Sequence, residues 1–273
     1  MTILNGYATL TECKNDNRIT STDTTDDTIL EALIENASRF IDLTTGRRFY
    51  PLIQTRHFDV PLTLELRIDD DLLSITSVTN GDDAAIAAAD YYTRPYDDAP
   101  YWAICLKAGS GEAWESDGDG NTAGVIDVAG VWGYHTRYSD AWLLATTLAA
   151  AITTTSATSI TVTAAAMAVG HVLKIDSEYL LVTAVSGTTI TVQRGFNGST
   201  AATHLILASI YMFRWQGEIN QACRMIVNNV YHNRFGENPT GTVRVTGAGV
   251  VISPEDVPAL AYKIMDGLMR LGY

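Results

Sequence analysis

Any chemistry this chain performs must come from its acids, histidines, cysteines and glycine-rich turns. Asp117-Gly-Asp119-Gly-Asn121 carries the alternating oxygen donors of the first half of a calcium loop. Such a loop needs glycine at its sixth position and a bidentate glutamate at its twelfth; Thr122 and Val128 stand there, so a solvated turn is expected. The histidines His57, His135, His171, His204 and His232 lie far apart. None makes the HExxH pair that places two imidazoles on one helix face for zinc. Gly109-Ser-Gly111 and Gly118-Asp-Gly120 neither follow a strand nor open a helix, as a dinucleotide fingerprint must. The chain has no P-loop and no GxSxG elbow, and Asp69-Asp70-Asp71 and Asp82-Asp83 read as solvated charge in turns. Cys13, Cys105 and Cys223 are widely spaced within apolar patterns, which predicts buried free thiols. No nucleophile, base and orienting group come together. The expectation is a protein that is not an enzyme and uses no metal or cofactor.

The elements that would position these residues change character along the chain. Thr9-Leu-Thr-Glu12 is a capping box opening a short helix that ends near Asn15–Asn17. After a Thr/Asp loop, Ile29, Leu30, Leu33, Ile34, Ala37, Phe40 and Ile41 recur at helical spacing, with Asp26, Asp27 and Glu31 at the start and Gly46 as the stop. From about Thr55 the period becomes two: Leu62, Leu64 and Leu66 alternate with polar residues, Leu73–Thr79 runs into the turn Asn80-Gly81, and Tyr101–Leu106 and Val125–Val131 read as further strands. From Thr147 the composition shifts to Thr, Ala, Val and Ile with few charges. Alternating runs at Ser159–Thr163, Val172–Ile175, Tyr179–Val185, Thr189–Gln193 and Leu205–Tyr211 predict a module of about five strands.

Helical spacing returns with Ile219, Ala222, Cys223, Ile226, Val227, Val230 and Tyr231, ending at Phe235-Gly236. A Gly/Pro/Thr linker follows, with Val243–Val245 and Val250–Ile252 extended. A last helix is expected over Val257–Leu271, starting near Ser253-Pro254-Glu255-Asp256 with Asp256 as its cap, because proline at 258 suits only a first turn. The predicted fold class is α+β: a small helical bundle from both chain ends carrying two inserted antiparallel β domains. The predicted divisions are 1–50 with 213–273 as helical base, 51–146 as antiparallel β domain and 147–212 as Thr-rich inserted β module. The faces Ile29–Ile41 and Ile219–Tyr231 are expected to pack on each other, since a helix of this length is marginal alone.

The net charge of −13 argues against binding a phosphate backbone, which draws on clustered Lys and Arg. It fits either plain solubility or a wall past which DNA slides without adhering. No apolar run is long enough for a membrane span, and the N-terminus is not a signal peptide. Trp102, Trp114, Trp132, Tyr134, Trp142 and Trp215 flank strands and junctions, as core residues or as interface anchors.

The ordered segments Tyr7-Ala-Thr-Leu-Thr-Glu12, Leu30-Glu-Ala-Leu-Ile-Glu-Asn-Ala37, Thr44-Thr-Gly-Arg-Arg-Phe-Tyr-Pro51, Thr55-Arg-His-Phe-Asp-Val-Pro61, Asp71-Leu-Leu-Ser-Ile-Thr-Ser-Val-Thr-Asn-Gly81 and Val131-Trp-Gly-Tyr-His135 resemble phage head–tail connector (adaptor) proteins. The β module is similar to one recurring in phage structural proteins, on Ile175-Asp-Ser-Glu-Tyr-Leu180, Val185-Ser-Gly187 and Arg194-Gly-Phe-Asn-Gly-Ser-Thr-Ala-Ala-Thr-His204. The resemblance runs from Thr9 to about Tyr231. It implies a homo-oligomeric ring, commonly a dodecamer, beneath the portal protein in the virion neck. Such a ring extends the DNA channel, passes genomic DNA without specific binding, and docks a stopper or tail-terminator protein.

The segments expected to meet a partner are the C-terminal helix, through Val257, Leu260, Ile264, Met265, Leu268 and Met269, and the linker before it. A stripe of large apolar residues after a Gly-rich linker suits docking into a groove, or packing on its own subunit. The alternative function is a peripheral virion protein whose β module binds host glycans or neighbouring virion proteins.

Overall fold

The computed structural model describes residues 3–235, 245–246, 249–250, 252 and 256–270. The chain is α+β and divides into two compact units: Met1–Gly46 with Ala141–Tyr273, and Arg47–Asp140. Helix α1, Leu10–Asp16, opens with the predicted capping box: the Thr9 hydroxyl accepts from the Glu12 amide (3.1 Å) and the Glu12 carboxylate from the Thr9 amide (2.8 Å). Helix α2, Asp27–Thr45, buries Leu30, Leu33, Ile34, Ala37 and Ile41 completely. It stops at Gly46 in the left-handed region (φ 65°), whose amide donates to Asp42 O, a position where glycine avoids the Cβ penalty. Asp26 precedes α2 without capping it; its carboxylate accepts from the Tyr231 hydroxyl instead (2.6 Å).

The Arg47–Asp140 unit is one five-stranded antiparallel sheet. Its strands are β1 Leu52–Phe58, β2 Glu65–Thr79, β3 Tyr91–Arg94, β4 Tyr101–Leu106 and β5 Ile126–Trp132, in the order β1-β5-β2-β4-β3. Leu66, Ile68, Leu72, Val78, Ile104, Leu106, Ile126, Val128 and Trp132 form its core. The Trp132 indole donates to Gln54 O at 2.8 Å, and the Arg56 guanidinium lies 4.1 Å over its ring. Leu62 and Leu64, predicted to share a strand with Leu66, precede β2 and are exposed. The Thr63 hydroxyl accepts from the Glu65 amide and bends the chain before the strand begins. β3 escaped prediction because only four residues between Asp90 and Pro95 pair with β4. Asn80-Gly81 is a turn, as predicted. Its stem is a single bridge, Thr79–Ala85, and Asn80 also binds Glu115 N and Ala113 O. A Cβ on Gly81 would stand 2.3 Å from Glu115 O.

The second sheet has six strands: β6 Trp142–Thr147, β7 Ser159–Thr161, β8 Val172–Ile175, β9 Glu178–Ser186, β10 Thr189–Gln193 and β11 Ser209–Phe213, ordered β6-β11-β8-β9-β10-β7. Beyond their ends β6 and β7 meet: Leu148 bridges Val162, with Ala149 N donating to Thr161 O (2.8 Å) and Thr163 N to Thr147 O (3.0 Å). The sheet thereby curls into a small barrel around Leu148, Ile160, Val162, Leu173, Leu180, Val182, Ile190 and Ile210. β6 starts five residues before the composition shift at Thr147 and was not predicted as part of the module. Leu205–Leu207, predicted as the start of the last strand, is a turn; the strand begins at Ser209.

Helix α3, Gly217–Phe235, buries Ile219, Ala222, Cys223, Ile226, Val227 and Val230. It lies against α2, where Ser38 Oγ is 3.6 Å from Cys223 Sγ, and against α1, where Arg224 grips Asp16 through two bonds. Short strands β12, Val245–Thr246, and β13, Gly249–Val250, pair antiparallel. Helix α4, Ala259–Asp266, packs on α3 and α2. It is shorter than the predicted helix. Pro258, extended at ψ 140°, is its cap, and the Asp256 carboxylate is taken by Arg234 rather than by a cap. A proline also pushes the residue before it out of helical geometry. Ser253, Pro254, Glu255 and Leu271, like Gly236, Val243, Arg244 and Val251, lie outside the described residues.

Candidate interaction surfaces

Helix α4 divides its predicted stripe between two environments. Val257 and Met265 are buried within their own unit, together with Ala261. Ile264 and Leu268 are half-buried, while Leu260 and Met269 remain 52% and 43% exposed. The helix is held by Tyr262 set edge-on to Phe40 (6.3 Å), by Arg270 N donating to Thr45 O (2.8 Å), and by Asn229 donating to Asp256 O (2.9 Å). A partner reaching α4 in this arrangement meets Leu260 and Met269.

A second exposed apolar group lies just before β11. Leu205, Ile206 and Leu207 are 80%, 56% and 66% exposed, and Leu207 holds a left-handed backbone (φ 67°). Immediately before them sits a buried polar network that composition did not reveal. Glu178, fully buried at the start of β9, takes two bonds from Arg194 (2.7 and 2.8 Å), one each from the Gly195 and Ala202 amides (3.0 Å), and one from His204 Nε2 (2.8 Å). Arg194 also donates to Ala157 O and Ala202 O. Burial alone pushes the Glu178 carboxyl up; Arg194, the two amides and His204 outweigh it and hold it down at about 2. The one available signal was chemical. Residues 147–212 contain four charged side chains, Lys174, Asp176, Glu178 and Arg194, and an isolated Glu and Arg in so apolar a segment must pair if buried.

The Arg47–Asp140 unit holds most of the chain's charge imbalance, with seven Lys and Arg against sixteen Asp and Glu. Asp82, Asp83, Glu115, Asp117 and Asp127 line one face of it with His57, whose Nδ1 is 2.5 Å from Asp127. Asp117 caps its own loop: the Asp119 and Asn121 amides donate to its carboxylate (3.0 and 2.7 Å) and lower its pKa. The thiols are free and buried, and burial pushes Cys13 well up and Cys223 up to about 12, so both stay protonated at neutral pH. Burial lowers His171, whose Nδ1 accepts from the Ala168 amide beside Trp215. Among the described residues no group of three His, Cys, Asp or Glu side chains is placed to hold a metal, and no helix is long and apolar enough to cross a membrane. No protein-family model matches the chain, and a search of curated proteins finds no match.

Proposed function

We propose that this chain is a structural subunit of the neck of a tailed double-stranded-DNA phage: a head–tail adaptor that forms a ring below the portal and docks a stopper or tail terminator. On this reading it is not an enzyme. α1, α2, α3 and α4 form a small helical bundle from both chain ends, with the five-stranded sheet and the barrel as its two insertions.

The observation that carries the reading is the pairing of α2 with α3 across the whole intervening chain, with the connector-like exit Thr44–Pro51 leading out of α2 into the first insertion. Such an arrangement pairs helices from before and after the insertions, and a closed ring would need heterologous contacts between subunits. The acid excess of residues 47–140 supports it further, because a channel wall must repel phosphate rather than hold it. Electron cryomicroscopy of the neck of the particle that carries this chain tests the proposal. A closed cyclic ring of it next to the portal is expected; finding it scattered over the capsid surface or at the tail tip overturns the reading.

A further inference from the structure

His204 carries an inference that does not depend on the connector reading. Its ring is 1% exposed and placed between two carboxylates, with Nδ1 2.8 Å from Asp176 and Nε2 2.8 Å from Glu178. A neutral imidazole has one N–H and one lone pair, whereas an ionised carboxylate only accepts. Serving both carboxylates therefore requires the doubly protonated ring. The cluster is then balanced, two carboxylates against the imidazolium and the Arg194 guanidinium.

We propose that His204 is a proton-dependent latch that holds the exposed apolar tip Leu205-Ile206-Leu207 onto the barrel, firm while the ring is charged and loosened when it is neutral. The charged groups facing the ring are Asp176 from the two-residue turn between β8 and β9, Glu178 from β9, and Arg194 from the end of β10 through Glu178. When the ring gives up a proton to solvent, one carboxylate meets a lone pair. Glu178 cannot leave, because Arg194 and the Gly195 and Ala202 amides hold it. Asp176 is 71% exposed and turns to water instead, so the Nδ1 contact is the one that opens.

The tip is tied down at both ends, and the Nδ1 contact is the side-chain tie at the His204 end. His204 pairs with Ile152 through two backbone bonds of 2.9 Å; at the other end Leu207 N donates to Leu148 O at 2.9 Å and Leu148 N donates to Ala208 O at 3.0 Å. Between these anchors Leu207 is held at φ 67°, a conformation leucine rarely adopts. Three large aliphatic side chains face solvent from the strained segment. The latch thus ties the presentation of an apolar surface to pH.

Amide hydrogen exchange of residues 201–208 in the full chain, corrected for intrinsic rates and referenced to Ile226–Val230 in α3, tests this at an acidic pH of about 5.5 and an alkaline pH of about 8.5. Protection in the native chain is expected to be about tenfold lower at the alkaline pH, the order of one charge-assisted hydrogen bond. In Asp176→Asn the amide can donate to a neutral ring or accept from a charged one, and asparagine suits the left-handed backbone of residue 176. Protection in this variant is expected to be retained and equal at both pH values. Equal protection at both values in the native chain overturns the latch. So does a drop that persists in Asp176→Asn, which would assign the dependence to His57, His135, His171 or His232.

Discussion

Glu178 and Arg194 form a buried, doubly hydrogen-bonded ion pair in the barrel. Removing one member of a buried, hydrogen-bonded pair strands the other charge away from water, at a cost of about 3–5 kcal/mol. Arg194→Ala is therefore expected to lower the melting temperature far more than any exposed arginine variant, such as Arg67→Ala, as read by circular dichroism. The same pair sets an acid limit. The folded Glu178 carboxyl sits at about 2, below its ordinary 4.5, so its contribution is complete above about 4.5 and is lost as pH falls toward 2. Acid titration should show the native barrel losing stability across that interval, and Glu178→Gln should flatten that part of the profile while lowering stability at neutral pH. At the entry to α1, Thr9→Ala removes the hydroxyl that accepts the Glu12 amide. Its expected cost is about 1 kcal/mol in chemical denaturation.

Helix α4 is where sequence and packing part company at the scale of an element. Met265→Ala opens a cavity in a fully buried position and is expected to cost about 2–5 kcal/mol. Leu260→Glu and Met269→Glu change exposed positions and should leave stability within about 0.5 kcal/mol. If α4 docks on the portal, these two variants abolish the interaction in a pull-down while their melting curves match the native chain. Unchanged capture would leave α4 a structural helix of its own subunit. Truncation before Ser253 is the poorer experiment, because it also strips Val257, Ala261 and Met265 from the interior they fill. In the five-stranded sheet, Gly81→Ala places a methyl group against the Glu115 carbonyl and should destabilise the turn and the Ala113–Glu115 segment bound to Asn80.

Over the whole molecule, charge and compactness are unevenly shared. The unit Arg47–Asp140 carries nine more acids than bases, sixteen against seven, and like charges within one compact unit repel. Raising ionic strength from about 0.01 to about 0.15 M shortens the reach of that repulsion from about 30 to about 8 Å. This unit should therefore melt at a higher temperature in salt, whereas the barrel, with four charged residues in 147–212, should barely respond. Calorimetry across a salt series checks this; equal shifts in both units would mean that the acids are already paired or solvated well enough to feel no strain.

Composition and spacing alone determined the α+β class, the capping box of α1, the glycine stop of α2, five of the barrel's strands and the burial of the thiols. Each rests on contacts a few residues apart or on a periodicity that is visible locally. Only the tertiary structure decided which faces were already occupied. The α4 stripe split because α2 and α3 offered a place to Val257, Ala261 and Met265 and none to Leu260 and Met269. β6 joined the barrel because β11 had a free edge to pair and β7 a free end to meet. Glu178, Arg194 and His204 became one network because the turn between β8 and β9, the end of β10 and the segment before β11 converge, bringing together side chains 16 to 26 residues apart. Burial and pairing of that kind belong to the closed chain, and no window of neighbouring residues contains them.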